Sequence, residues 1–193
     1  MAIRTGQFIY HLTSVQNISS ILGAGLQPRS ELTREGFRDV ADPDIVDGRR
    51  GQQLERFVPF HWFAKNPFDG RVYRDRPDEE FVLIAVKRTH ASQNNWRIIP
   101  RHPLAGGDFE LLDYQVGIDR IDWDTMELRD YLVPQCKLIC MAECLSPDPV
   151  PASSFAKIYT PSLEIGQFVT QHAQRRELSR LWIDHNPNMF PNR

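Results

Sequence analysis

The chain has 193 residues, 23 Lys and Arg against 25 Asp and Glu, a formal net charge of −2, and 41% hydrophobic residues. These are ordinary globular values; they exclude a disordered tail, a collagen-like chain and a coiled coil. The near-neutral balance excludes a surface that is basic all over, as indiscriminate duplex-DNA binding would need.

The length predicts one domain over residues 1–193. Phe8 to Leu12 is β-branched and aromatic and predicts a strand. Thr13 as N-cap with Gln16 forms a capping box, Val15, Ile18 and Leu22 share a helical face, and Gly23 and Gly25 stop the helix. Residues 27–56 are charged and aperiodic, and a connection this long is usually functional or mobile. Phe57 to Phe63 is the most aromatic run; Pro59 makes it an edge strand or a strand entry. Residues 80–87 predict a buried strand and Trp96 to Ile99 a short one, while residues 101–120, with Gly106-Gly107, predict a loop with short elements. Asp122 to Tyr131 predicts a helix, 136–145 a strand, 153–159 a last strand, and Ser162 to Ile183 a helix with Ile165, Phe168, Val169 and Leu178 inward. The sum is an α+β fold.

No apolar run reaches the roughly 18 residues of a membrane helix. Met1 to Gln7 lacks the apolar core of a signal peptide. Cys136, Cys140 and Cys144 are too few and too clustered for a disulfide framework, so a reducing, cytoplasmic location is expected. Their spacing is no standard zinc pattern, and the six histidines form no ligand motif, so no metal is expected.

Glu143 stands among apolar residues in Cys140-Met141-Ala142-Glu143-Cys144-Leu145. On a strand it shares a face with Ile139, Met141 and Leu145, where a carboxylate is costly unless it is paired or lines a pocket. A strand-end Glu paired with an Arg and a catalytic Glu both fit. Tyr10-His11-Leu12-Thr13 lies at a strand-to-helix junction, where side chains can face a ligand, or where a His can simply bond to backbone. Arg49-Arg50 suits phosphate or pyrophosphate, although surface Arg pairs are common. Phe57, Phe60, Trp62 and Phe63 suit base stacking or core.

In order and spacing, these segments resemble the DarT family of DNA ADP-ribosyltransferase toxins from Phe8 to Phe190. The similar pieces are Ile9 to Thr13, Asn17-Ile18 with Ile21-Leu22, Gly25-Leu26, the loop Arg (Arg50, with Arg49 beside it), and Val58 to Phe68. Ile121-Asp122-Trp123, Ala142-Glu143-Cys144-Leu145 and Asn186 to Phe190 complete them. His61-Trp62 and Phe68-Asp69-Gly70 depart from the thymidine-modifying branch and look more like the branch linked to guanosine.

The resemblance implies a split mixed or antiparallel sheet with flanking helices, NAD+ as co-substrate and single-stranded DNA as acceptor. It implies Glu143 and Arg50 as the catalytic pair, Glu143 stabilising charge at the ribose C1′ and taking the incoming proton. Tyr10, His11, Leu12, Thr13, Asn17 and Arg49 would hold NAD+, and Phe57 and Phe60 would wall the nicotinamide. The 27–56 and 103–117 segments would face DNA. The resemblance also implies a toxin role and a cognate antitoxin, a macrodomain-type or related ADP-ribosyl hydrolase. Two alternatives remain at this point: an ADP-ribosyltransferase acting on protein or RNA, and a non-catalytic nucleotide-binding module.

Overall fold

The computed structural model describes residues 2–32, 37–40, 48–103 and 110–192. The strands are β1 (Phe8–Ser14), β2 (Val58–His61), β3 (Phe81–Lys87), β4 (Arg97–Ile99), β5 (Glu143–Ser146), β6 (Phe155–Thr160) and β7 (Trp182–His185). They form one sheet in the order β4-β5-β2-β1-β3-β6-β7. Among the described strands, only β6 and β7 run parallel. The helices are α1 (Ile18–Ala24), α2 (Pro67–Asp75), α3 (Arg88–Gln93), α4 (Tyr114–Arg120), α5 (Trp123–Leu128), α6 (Pro134–Ile139) and α7 (Leu163–Arg175); residues 48–51 form a further helical turn.

Alternation along the strands builds a core on each face. Ile9, Val82, Ile84, Val58, Phe60 and Cys144 face a large cluster that includes Ile18, Ile21, Trp123, Ile139 and Val169 from the helices. Leu12, Phe81, Leu83 and Tyr159 face a smaller cluster with Val72, Tyr73 and Phe190.

The sheet's continuity is uneven. β1 pairs with β3 over its whole length, from Phe8↔Lys87 to Ser14↔Phe81. It pairs with β2 only at Tyr10↔His61. Pro59 has no N–H to give a ladder, and His11 Nδ1 reaches its carbonyl at 2.8 Å instead. Beyond that point the two strands diverge. Arg88 ties down the other end: Nε, Nη1 and Nη2 donate to the carbonyls of Phe8, Arg4 and Trp62. Its guanidinium lies over the Trp62 ring at 4.9 Å and the Trp123 ring at 5.7 Å.

Several expectations are corrected. β2 is interior rather than an edge; Pro59 is its second residue, at the strand entry, and falls where β1 has already peeled away. Residues 136–145 are not one strand: Pro134 starts α6, and only Glu143 onward is extended. Cys136, Ile139 and Cys140 are therefore neighbours at helical spacing. The predicted 162–183 helix ends at Arg175, and β7 follows. Ser14, not Thr13, caps the turn before α1 by accepting from Gln16 N. Within 101–120 the short element is the helix Tyr114–Arg120, as a loop with short elements allows, while Gly106-Gly107 lies outside the described residues. Asp122 does begin the following helix, its side chain accepting from Thr125 N.

Gly117 fixes how closely α4 sits on β4. A Cβ there would lie 2.4 Å from Ile98 Cβ. Gly117→Ala should therefore cost about 1–3 kcal/mol by overpacking, read as a lower urea midpoint at unchanged m-value.

Candidate active site

Where β1 and β2 part, a cavity of about 210 Å³ opens. His11, Leu12 and Thr13 line it from β1, Pro59 and His61 from β2, and Glu143 from β5. Ile21 and Leu26 close the far side, and Arg49 and Phe57 reach in from residues 48–57. The opening follows from the single β1–β2 rung: side chains that would pair across a regular ladder instead face a gap.

Glu143 is the first residue of β5, opposite His61 of β2 and Ile99 of β4. It is 5% exposed. Arg49 Nη1 donates to both of its oxygens, at 2.7 Å each. Arg49 Nη2 is buried and has no hydrogen-bond partner, so this arginine holds the carboxylate with one nitrogen and keeps the other for something else. Gln52, a turn further on, donates to Pro103 O at 3.1 Å, and its Oε1 is buried without a partner.

Burial pushes the His11 ring down to a pKa of about 4, against an upward pull from the Pro59 carbonyl. The ring is therefore neutral at pH 7. The Pro59 carbonyl only accepts, so Nδ1 carries the proton and Nε2 is left as an acceptor. Asn17 is buried behind Thr13: its Nδ2 donates to Thr13 Oγ1 at 3.1 Å and to Arg38 O at 2.8 Å, and Arg38 N donates back to its Oδ1. His102 also lines the cavity, and burial lowers its pKa.

The structure thus gathers His11, Leu12, Thr13, Arg49, Phe57 and Glu143 at one cavity. Arg50 is not brought to Glu143. It is exposed, and its Nε donates to Glu55 at 3.2 Å. On one helical turn, successive side chains point some 100° apart, so only one of the two arginines can face the cleft. Tyr10 and Phe60 do not line the cavity. Tyr10 packs toward Tyr159, and Phe60 is buried on the opposite face against the His11 and Trp96 rings. Asn17 supports the wall rather than forming it. The sequence reading did not single out His61, Gln52 or His102 as site residues. For His61 a signal existed, since it alternates with Pro59 on a strand that ends beside the glutamate.

The segments expected to face DNA fall partly on residues 33–36, 41–47 and 104–109, which lie outside those described. Among the described residues, no group of three or more His, Cys, Asp or Glu comes together as a metal site. Also among them, no helix is long and apolar enough to cross a membrane.

A sheet split between two central strands, with a buried carboxylate at the lip of the split, is the architecture of an ADP-ribosyltransferase. A family model described as "DarT: ssDNA thymidine ADP-ribosyltransferase, DarT" matches residues 10–191, and the chain belongs to that family. The fold is shared with Thermus sp. 2.9 DarT in complex with ADP-ribosylated ssDNA, at TM-score 0.81 and 17% identity over 96% of each chain. It is shared with the same protein in complex with NAD+, at TM-score 0.75 and 15% identity over 97% of this chain and 98% of that one. Thermosipho africanus DarTG in complex with ADP-ribose matches at TM-score 0.76 and 21% identity, over 97% of this chain and 52% of the other. No curated protein sequence matches.

Proposed function

We propose that this chain transfers ADP-ribose from NAD+ to a base of single-stranded DNA, with guanosine ahead of thymidine as acceptor. The observation that carries the reading is Glu143, buried at the lip of the cavity and gripped at both oxygens by Arg49. Loss of nicotinamide leaves oxocarbenium-like charge at the ribose C1′. A fixed carboxylate beside that carbon stabilises the charge as it develops. Arg49 Nη2 has donors to offer a phosphate or a base carbonyl. Neutral His11 presents Nε2 to a ribose hydroxyl. Single strands suit the reaction because the base needs no unstacking from a duplex.

The base preference rests on where the sequence departs from the thymidine-modifying pattern. His61 and Phe68 both line the cavity and stack on each other at 5.3 Å, so the departure lies on the wall an incoming base meets. A base so modified blocks replication, which makes the chain the toxin of a toxin–antitoxin pair. Its antitoxin is a macrodomain-type or related hydrolase that removes the mark. The Thermosipho DarTG match supports that pairing.

The test is mass spectrometry of oligonucleotides lacking guanine, or lacking thymine, after incubation with protein and NAD+. One ADP-ribose added to the guanine-containing set is the expected result. Addition only to the thymine-containing set reverses the base preference. No adduct, with NAD+ intact, overturns the reading. A binding measurement accompanies it: NAD+ at 100 times its Kd should raise the unfolding free energy by about 2.7 kcal/mol, seen as a higher Tm.

A further inference from the structure

His61 is a buried group on the cavity wall to which the reaction above gives no part in proton transfer. It pairs in register with Glu143 on one side and with Tyr10 on the other, so its side chain leaves the same sheet face as the glutamate. It is 6% exposed and lines the cavity. The ring stacks on Phe68 and hydrogen-bonds to the Ala142 backbone, yet its Nδ1 is buried without a hydrogen-bond partner. Glu143, by contrast, already accepts from Arg49 at both oxygens. The cavity is therefore lined by two different groups paired in register on adjacent strands: a carboxylate occupied by an arginine, and an imidazole whose Nδ1 has no partner.

Resting on the proposed reaction, we propose that His61 is the general base that takes the proton from the acceptor nitrogen, while Glu143 serves the charge at C1′. The bond between C1′ and the nicotinamide nitrogen breaks, and its electron pair leaves on nicotinamide. The new C1′–N bond forms from the base nitrogen. The N–H electron pair stays on that nitrogen, and the proton lands on His61 Nδ1 before passing to solvent. This departs from the role first given to Glu143, which combined both tasks.

The charged and titratable groups facing His61 are Glu143 from β5, Arg49 from the 48–51 turn, His102 after β4, and His11 from β1. Helix α2 adds the apolar ring of Phe68. Burial outweighs the pull of Glu143 and keeps the ring in its neutral, proton-accepting form.

His61→Gln and His61→Tyr test this together, because Tyr keeps a ring against Phe68 and neither supplies an imidazole. At saturating NAD+, transfer to single-stranded DNA should fall about 100-fold in both. The Kd for NAD+ should stay within about three-fold, and the acidic limb of the wild-type kcat–pH profile should disappear. Wild-type rate in either variant, or survival of that limb in both, overturns the proposal. Loss of NAD+ affinity in step with rate also overturns it and assigns His61 to the NAD+ site. A wild type that binds NAD+ but modifies no oligonucleotide refutes the reaction itself, and that control separates the two failures.

Discussion

Glu143→Gln should lower ADP-ribose transfer by about 1,000-fold, at the upper end of what one preorganised electrostatic group supplies. The amide keeps one oxygen for Arg49 Nη1 and much of the packing, so the fold should survive. Its lack of charge removes stabilisation where positive charge develops at C1′. Glu143→Ala is a different experiment. It strands the Arg49 guanidinium, 13% exposed, without its counter-charge, which should cost about 3 kcal/mol. Mass spectrometry of the oligonucleotide product and a denaturant melt read the two effects separately. A Gln variant that retains transfer would remove Glu143 from the chemistry. From sequence alone, a pairing role and a catalytic role for this residue were competing readings. The structure gives the same carboxylate the partner that the first reading required and the cavity that the second required.

Arg49→Ala should cost about 100-fold or more in transfer, whereas Arg50→Ala should stay within about two-fold. Arg49 is the residue that both fixes the glutamate and offers buried Nη2 donors to the cavity. Arg50 is 58% exposed and bonds to Glu55 at the surface, where ion pairs contribute little. Arg49→Lys should fall between, since a lysine keeps the charge but not the planar fork. Equal losses at both positions, measured as single-turnover rates at saturating NAD+, would contradict this division of labour.

Much of this candidate site's arrangement was legible in the sequence, because polar residues stand out in regular apolar places. A carboxylate in an apolar stretch marked Glu143, and an aromatic strand meeting a helix start marked His11 to Thr13. The choice between two adjacent arginines was not legible, because it depends on the phase of a single helical turn with no apolar stripe to set it. The 136–145 misreading had a remedy in view. Cys136, Ile139 and Cys140 repeat at helical period, and Pro134 is a good first helical residue. Strand β7 left less trace. The break after α7 is made by Glu177 at φ 59°, a left-handed position with no glycine to announce it. The interior position of β2 was hidden for a related reason: Pro59 signals a missing donor, and only the tertiary pairing shows that β1 is already parting there and that His11 donates to the Pro59 carbonyl.

That histidine marks a line along which the sheet is nearly two pieces. β4, β5 and β2 carry the glutamate; β1, β3, β6 and β7 carry His11 to Thr13; and one paired residue plus one side-chain bond join them within the sheet. A ligand seated against both sets of residues would act as a splint across this line. The relative tilt of the two pieces would set the distance between the groups that each carries into the cavity, and the shared core beneath the sheet holds that tilt.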